Sequence, residues 1–330
     1  MMREFGKILR KAAQLTQSGN FKEASSALME GLGTATSMPR TRERPAAPPG
    51  RFLWRDHDGP TGTRRYKLYV PAGYRGQEMP LLLMLHGCTQ APDDFAEGTR
   101  MNHLAEDLQI LVAYPAQAGA ANPQRCWNWF RKEDQAQGSG EPAIMAGIVE
   151  DIMRDYGVDR RRIFAAGHSA GGAAAMVLGQ TYPSLFAAVG VNAGLPFKSA
   201  TNAAQALSVM REGPSLANLP PGVGHPTIVF HGAVDKTVNP ANARAIIAQA
   251  LGPNPGVRAV VDELGTGTRR PVERTRYLDS AGRLRAELWL VEGLGHAWSG
   301  GETLASHTDP RGPDASREML RFFLEQPTDS

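Results

Sequence analysis

Short apolar runs alternate with helical patterns along most of this chain, and this alternation restricts the folds that the chain can adopt. Runs with the composition of buried strands occupy residues 66–70, 81–85, 110–114, 163–166, 187–191 and 227–230. Apolar residues recur at helical spacing over residues 95–108, 142–156, 170–182, 241–250 and 316–324. A further strand is predicted at 284–290, after a turn at Gly282. The alternation predicts an α/β fold with a mostly parallel central sheet and helices on both faces.

The first 50 residues have a different character. Two helical patterns flank a break at Gly19-Asn20, which predicts a small helical hairpin over residues 1–32. Residues 33–50 contain four prolines among threonine and arginine and show no periodicity, as is typical of a linker. We therefore predict three parts, namely the N-terminal hairpin, the Pro-rich linker and an α/β domain over residues 51–330.

Charge, hydropathy and cysteine usage exclude several classes of partner. The 36 basic and 33 acidic residues are interspersed and give a net charge of +3, so no field of one sign is available to hold nucleic acid. No apolar stretch approaches the roughly 20 residues of a membrane-spanning helix, and the N-terminus lacks the apolar segment of a secretory signal. Cys88 and Cys126 lack the spacing of zinc ligands but can form one bridge. The sequence as written predicts a cytoplasmic chain with no nucleic-acid partner, no membrane span and no metal.

The pentapeptide Gly167-His168-Ser169-Ala170-Gly171 lies between a predicted strand and a predicted helix. This context is that of a nucleophile elbow, a sharp turn that lifts a serine hydroxyl above the edge of a sheet. Gly167 and Gly171 remove the side chains that would clash with neighbouring backbone in such a turn. We predict Ser169 as a nucleophile and His168 as a packing residue; the alternative is a glycine-rich turn with an idle serine.

A serine nucleophile requires a histidine base that is oriented by a carboxylate, in the chain order Ser, Asp, His for this type of elbow. Asp235 follows the apolar strand 227–230 and is predicted as the acid, with Asp262 and Glu263 as rival carboxylates. His296 follows the last predicted strand within a glycine-rich loop and is predicted as the general base.

A tetrahedral intermediate also requires hydrogen-bond donors for its negatively charged oxygen. The backbone amide of Ala170, directly after the nucleophile, is one candidate. The strand 81–85 runs into His86-Gly87-Cys88, so the amide of Cys88 is the second candidate. The alternative for this segment is a tight turn without a catalytic role.

With these residues identified, the chain resembles the polyhydroxybutyrate depolymerase-type esterases, a family of α/β-hydrolases whose relatives act on feruloyl and acetyl esters. The resemblance extends over residues 65–323. It rests on the motifs Leu85-His-Gly-Cys-Thr-Gln90, Cys126-Trp-Asn-Trp-Phe130, Gly140-Glu-Pro142, Gly167-His-Ser-Ala-Gly-Gly172, Gly295-His-Ala-Trp-Ser-Gly-Gly301 and Gly312-Pro-Asp-Ala-Ser316.

The resemblance implies an α/β-hydrolase fold in which Ser169, Asp235 and His296 take the triad roles and Cys88 is bridged to Cys126. It further implies that three aromatic side chains border the substrate pocket, namely Trp127, Trp129 and Trp298. Core packing is the alternative for Trp127 and Trp129. Many members of the family are secreted, and the resemblance together with the implied disulfide favours a secreted or extracellular protein. The sequence thus leaves the location open, because the absence of a visible export signal favours the cytoplasm.

The function that these features predict is the hydrolysis of short-chain or hydroxyacyl esters through an acyl-enzyme on Ser169, without a cofactor. The substrate would be a small ester or a polyester. One alternative is a feruloyl or acetylxylan-type esterase, and another is peptidase or acyl-transferase chemistry on the same triad. A third alternative is a granule- or partner-binding protein that docks or self-associates through the hairpin 1–32 and has a weak hydrolase site.

Overall fold

The computed structural model describes residues 47–253, 256–265 and 269–326. Ten strands in this part of the chain form one mixed sheet. The predicted hairpin 1–32, and the predicted linker as far as residue 46, lie outside the described residues. The sheet strands are β1 (Arg51–Gly59), β2 (Gly62–Val70), β3 (Met79–Leu85), β4 (Leu111–Pro115), β5 (Val158–His168), β6 (Ala188–Asn192), β7 (Thr227–Gly232), β8 (Arg258–Leu264), β9 (Val272–Leu278) and β10 (Leu284–Val291).

The strand order is β1-β2-β4-β3-β5-β6-β7-β10-β9-β8. All neighbours from β4 through β10 in this order are parallel, whereas β1 and β2 at one edge and β9 and β8 at the other edge pair antiparallel. Strands β3, β4, β6 and β7 are buried along their whole length, as expected for parallel strands that are covered on both faces. The prediction of a mostly parallel α/β sheet is confirmed.

Helices cover both faces of this sheet. One apolar layer includes Ile148, Met176 and Ile246, and the layer on the opposite face includes Phe95 and Met319. The helices are α1 (Pro92–Thr99), α2 (Met101–Leu108), α3 (Gly140–Asp155), α4 (Ala170–Thr181), α5 (Ala203–Glu212), α6 (Ala241–Leu251) and α7 (Ala315–Leu324). Two short strands, β11 (Trp298–Ser299) and β12 (Thr308–Asp309), pair with each other beside the sheet.

The segment 95–108, predicted as one helix, is divided between α1 and α2 at Arg100. Arg100 has a left-handed backbone conformation with φ 55°. The Thr99 hydroxyl donates a hydrogen bond to the Phe95 carbonyl at 2.8 Å and accepts one from the Met101 amide at 3.4 Å. A side-chain hydroxyl that competes for backbone partners in this way interrupts the regular helical ladder, which the apolar spacing does not reveal.

Candidate active site

Ser169 occupies the turn between β5 and α4, with backbone angles φ 55° and ψ −119°. Its amide donates a hydrogen bond to the Asn192 carbonyl of the neighbouring strand β6 at 2.9 Å. A Cβ atom on Gly171 would overlap the Leu85 carbonyl oxygen, and one on Gly167 would overlap the backbone of Gly171. The turn therefore requires glycine at both positions, because strand β3 and helix α4 approach it at backbone distance.

The structure brings the three predicted triad residues into one chain of hydrogen bonds. The distance between Ser169 Oγ and His296 Nε2 is 2.9 Å, and that between His296 Nδ1 and Asp235 Oδ2 is 2.7 Å. Because the carboxylate only accepts, the imidazole carries its proton on Nδ1 and accepts the serine proton at Nε2. This is the arrangement in which a neutral histidine can act as a general base toward serine.

Asp235 is buried, and its two carboxylate oxygens have separate partners. Oδ1 accepts the amides of Thr237 at 2.8 Å and Val238 at 2.9 Å, while Oδ2 faces His296. Burial alone would raise the pKa of Asp235, but the hydrogen bonds from His296 and these two amides hold it below the usual range. The carboxylate is therefore ionised at neutral pH and available to stabilise a protonated imidazole.

The rival carboxylates lie away from this site. Asp262 belongs to the edge strand β8 and accepts hydrogen bonds from Arg274 at 2.9 Å and Arg276 at 3.0 Å. Glu263 is on the same strand, opposite Glu273 of β9. Neither carboxylate is among the hydrogen-bond partners of His296 in the described residues.

Asp235 and His296 meet because they follow neighbouring parallel strands, β7 and β10. The Ala233 amide donates to the Val291 carbonyl at 2.9 Å, and the Val234 amide donates to the Leu294 carbonyl at 3.2 Å. A Cβ atom on Gly232 would overlap the carbonyl oxygens of Leu294 and Gly295. The loop that carries the acid and the histidine loop, residues 292–301, are thus in direct main-chain contact.

The candidate oxyanion donors belong to two segments that pack against each other. The oxyanion loop, residues 86–90, follows β3, and a Cβ atom on Gly87 would lie 3.0 Å from Cδ2 of His168, next to the nucleophile. Within the described residues no acceptor bonds the amides of Cys88 and Ala170. Ala170 is the first residue of α4, where the helix dipole favours negative charge. The two amides therefore remain the candidate oxyanion donors.

Cys88 and Cys126 form a disulfide, as the family resemblance implies. The bridge ties the oxyanion loop to the aromatic loop, residues 126–130. The described residues contain no further cysteine.

The three tryptophans predicted to border the substrate pocket are buried. Trp127 is 0% exposed and donates its indole N–H to the His86 carbonyl at 2.9 Å, while Trp298 is 1% exposed and donates to Ser316 Oγ at 3.1 Å. Trp129 packs edge-on against Phe130 and, with Trp127, lines a small cavity whose wall does not include Ser169. These contacts are typical of core packing, the alternative stated for Trp127 and Trp129, and the role of the three rings beside a substrate stays a prediction.

A buried polar cluster behind the oxyanion loop was missed by the sequence analysis. Glu141, at the start of α3, accepts hydrogen bonds from the Asn128 amide at 2.7 Å, from Asn128 Nδ2 at 2.9 Å and from the Gln117 side chain. Burial raises the pKa of Glu141, and the hydrogen bonds from Gln117 and Asn128 oppose this effect. The motif Gly140-Glu-Pro142 was the available signal, but it indicated no partner for the carboxylate.

Within the described residues, no group of three or more His, Cys, Asp or Glu side chains has the arrangement of a metal site. No helix among them is long and apolar enough to cross a membrane.

The family model described as Esterase PHB depolymerase matches residues 64–277. The chain is 29% identical over 242 residues to poly(3-hydroxyalkanoate) depolymerase C of Paucimonas lemoignei, covering 69% of this chain and 57% of that protein. It is 28% identical over 242 residues to poly(3-hydroxybutyrate) depolymerase of Ralstonia pickettii, covering 67% and 48%. The chain thus spans about half the length of these two relatives.

More distant similarities extend beyond the depolymerases. Feruloyl esterase B of Thermothelomyces thermophilus is 28% identical over 150 residues, which cover 45% of this chain and 50% of that protein. Among solved structures, an acetyl xylan esterase from Aspergillus awamori superposes with a TM-score of 0.62 at 17% identity, covering 84% of this chain and 100% of that chain. At this identity the structural similarity concerns the fold, which is that of the α/β-hydrolases.

Proposed function

Because this chain belongs to the Esterase PHB depolymerase family, we propose that it is a carboxylic ester hydrolase that uses Ser169 as its nucleophile. The observation that carries the proposal is the continuous hydrogen-bond chain from Ser169 through His296 to Asp235. The serine lies in a strained turn at the carboxyl edge of a parallel sheet, where α/β proteins gather ligands.

In the first half-reaction, Ser169 Oγ attacks the ester carbonyl carbon while His296 Nε2 accepts the hydroxyl proton. The bond between the carbonyl carbon and the alcohol oxygen then breaks, and His296 returns the proton to the departing alcohol. This step leaves the acyl group esterified to Ser169. Asp235 stabilises the transient imidazolium and keeps the ring in the required orientation.

In the second half-reaction, water replaces the alcohol. His296 accepts a proton from the water as its oxygen attacks the acyl carbon, and the bond to Ser169 Oγ breaks as the serine regains its proton. The products are a carboxylic acid and the free enzyme. In both halves the amides of Cys88 and Ala170 are proposed to donate hydrogen bonds to the carbonyl oxygen as it becomes negative.

For the substrate we propose a short-chain or hydroxyacyl ester, small or polymeric. The names of the two depolymerase relatives support this class, and the feruloyl esterase relative supports an aromatic acyl ester as the second candidate. A further proposal concerns residues 1–32, which we expect to act in self-association or docking rather than in the ester chemistry.

The test is a panel of nitrophenyl acetate and butyrate, 3-hydroxybutyrate oligomers and a feruloyl ester, assayed with the parent and with Ser169→Ala. Removal of the nucleophile should lower kcat by several powers of ten, because the remaining oxyanion donors supply only about 10³–10⁴ of acceleration over water. Ser199→Ala is a matched control, since the Ser199 hydroxyl donates to the Pro196 carbonyl and is not part of the hydrogen-bond chain of Ser169, His296 and Asp235. Retention of more than about a tenth of parental kcat by Ser169→Ala would refute the assignment.

A further inference from the structure

The peptide group between Gly87 and Cys88 is held by hydrogen bonds on its carbonyl side. The Gly87 carbonyl oxygen accepts from His86 Nδ1 at 2.8 Å and from the Gln90 amide at 3.3 Å. On the other side of the same residue, the Gly87 amide donates to Gln90 Oε1 at 2.9 Å. These bonds remove the freedom to rotate that glycine would otherwise have in a loop.

The fixed carbonyl also fixes the direction of the Cys88 amide. All described peptide bonds are trans, and in a trans peptide the C=O and N–H groups point in opposite directions. Since the Gly87 carbonyl points toward His86 and Gln90, the Cys88 N–H points away from them. No described residue accepts a hydrogen bond from it. Since no described residue uses it, the Cys88 N–H can donate a hydrogen bond to a bound ligand.

His86 can support this arrangement in only one protonation state. Its Nε2 accepts the Gln117 amide at 3.1 Å, so the proton must be on Nδ1, where it is donated to the Gly87 carbonyl. The ring is buried, and burial lowers the pKa of His86 to about 4, so the imidazole is neutral in the physiological range. The His86 carbonyl is held separately by the indole of Trp127.

Gln117 is itself held on both ends of its side chain. Its Nε2 donates to the Cys126 carbonyl at 2.9 Å and to Glu141, and its Oε1 accepts from Arg64 and from the Ala118 amide at 3.0 Å. The Glu141 carboxylate thereby connects α3 to the residue whose amide orients His86.

We propose that His86, Gln117 and Glu141 are positioning residues that fix the Gly87–Cys88 peptide so that the Cys88 N–H faces the oxygen of the tetrahedral intermediate. The proposal rests on the ester chemistry proposed above and assigns a role to the Gly140-Glu-Pro142 motif. A group that acts on an oxyanion donor matters only as negative charge develops, so its loss should lower kcat and leave KM nearly unchanged.

Two substitutions of His86 separate the donor on Nδ1 from the acceptor on Nε2. Asparagine places its amide nitrogen near the position of Nδ1 and can still donate to the Gly87 carbonyl. Glutamine places its amide oxygen near Nε2 and can still accept from Gln117, but its donor does not reach Gly87. We expect His86→Asn to keep kcat within about fivefold and His86→Gln to lower it by roughly 10- to 100-fold, part of the 10²–10³ typical for one oxyanion donor.

Affinity for a trifluoromethyl ketone, which forms a tetrahedral oxyanion on the serine, should fall in parallel with kcat, while KM stays within about twofold. Glu141→Gln should likewise lower kcat and leave KM within about twofold. His225→Asn is the matched control, because His225 is a buried imidazole with a pKa lowered by burial to about 4 at a position that contacts Gly179. It should lower the melting temperature without changing kcat.

Equal kcat for the two His86 variants, a change in KM instead of kcat, or an equal loss in His225→Asn would overturn the proposal. Nitrogen NMR of labelled histidine in the parent protein gives a test that requires no variant to fold. His86 should carry its proton on Nδ1 from pH 8 to pH 5, and a proton on Nε2 would refute the arrangement. An active, Ser169-dependent enzyme with parental kcat in His86→Gln would refute this inference alone. An inactive parent would instead refute the ester chemistry.

Discussion

The two sides of the candidate site are held in place by different means. On the side of the acid and base, Asp235 and His296 leave adjacent strands, and their loops are joined by main-chain hydrogen bonds and backbone contact at Gly232. On the oxyanion side, Cys88 follows β3, whereas Cys126 comes from a long connection after β4 that contains only a short 3-10 turn at Lys132–Gln135. That side is held by a disulfide, by buried side chains and by a main-chain hydrogen bond from the Thr89 amide to the Gln124 carbonyl at 2.7 Å.

This difference between the two sides predicts which kind of substitution disturbs each of them. Main-chain contacts between neighbouring strands depend on glycine at a few close approaches and hardly on other side chains. A loop without strand neighbours must be held by particular polar groups, each of which is costly to leave unpaired once it is buried. We therefore expect the acid and base side to be disturbed mainly by added volume, and the oxyanion side mainly by lost hydrogen bonds or the lost bridge.

The largest effect should come from Asp235→Asn, which keeps the shape of the acid side but removes its charge. An amide in place of the carboxylate disfavours the proton on His296 Nδ1, so kcat should fall on the order of 10⁴ with the fold intact. Asp262→Asn is the control, because that carboxylate is paired with Arg274 and Arg276 at the sheet edge. It should change kcat by less than about twofold. The opposite ranking in steady-state kinetics would mean that the acid has been misassigned.

Gly232→Ala tests whether added volume alone disturbs the acid and base side. The new methyl group would overlap the carbonyl oxygens of Leu294 and Gly295 and push the histidine loop away. Displacement of about 1 Å can cost roughly 10² in kcat, and such overpacking typically lowers stability by about 1–3 kcal/mol. Gly119→Ala is the control, since a Cβ there meets no atom within 4 Å. Parental kcat in a folded Gly232→Ala protein would show that the main-chain contact is unimportant.

Loss of the disulfide should have a smaller effect on kcat and a clear effect on stability. In Cys88→Ala combined with Cys126→Ala, the hydrogen bonds from Trp127 to His86 and from Gln117 to residue 126 remain. We therefore expect about a tenfold loss in kcat, well below the 10²–10³ typical of a missing oxyanion donor.

The chain-entropy relation for a separation of 38 residues gives a loss of about 4 kcal/mol in the free energy of unfolding. Thermal melts with and without reductant measure it, and alkylation of unreduced protein followed by mass spectrometry verifies the bridge. A melting temperature that is insensitive to reductant would show that the buried polar groups are sufficient to hold this side.

The smallest effect on turnover should come from deletion of residues 1–48. Every residue assigned to the chemistry or to its positioning lies between Arg64 and His296, and β1 begins only at Arg51. Activity on small esters should stay within about twofold of the parent, while light scattering should reveal any change in assembly. A truncated protein that is folded by circular dichroism but inactive would mean that the N-terminal segment takes part in the site.

The sequence predicted the interior of the sheet better than its edges. The runs 66–70, 81–85 and 227–230 are parts of β2, β3 and β7, because strands with both faces buried require continuous apolar composition. Strands β1, β8 and β9 were not predicted. In β8 exposed and partly buried residues alternate and Val261 faces solvent, so the strand lacks the apolar run that marks its neighbours. Strands β1 and β8 each pair with the next strand along the chain, β2 and β9. At the edges of the sheet they need no continuous apolar run, which is the signal that identified the interior strands.

The candidate site likewise has residues that the sequence could predict and contacts that it could not. Ser169, Asp235 and His296 could be named because each directly follows a recognisable strand and the chemistry requires these residue types. The hydrogen bonds of Glu141 could not be predicted, since its partners Gln117 and Asn128 are separated from it by 24 and 13 positions with no periodic relation. For Trp127 the sequence left a pocket wall and core packing open, because aromatic composition suits both equally well.

The elbow at Ser169 has a consequence for how this protein responds to destabilisation. A non-glycine residue with φ 55° and ψ −119° costs of the order of 1–3 kcal/mol, and the turn persists only while β5 and α4 hold both of its ends. Heat or mild denaturant that loosens either element lets this turn relax before the core opens. Turnover should therefore decline at temperatures where circular dichroism still reports a folded chain. Loss of activity would then detect local loosening of the native state earlier than loss of secondary structure does.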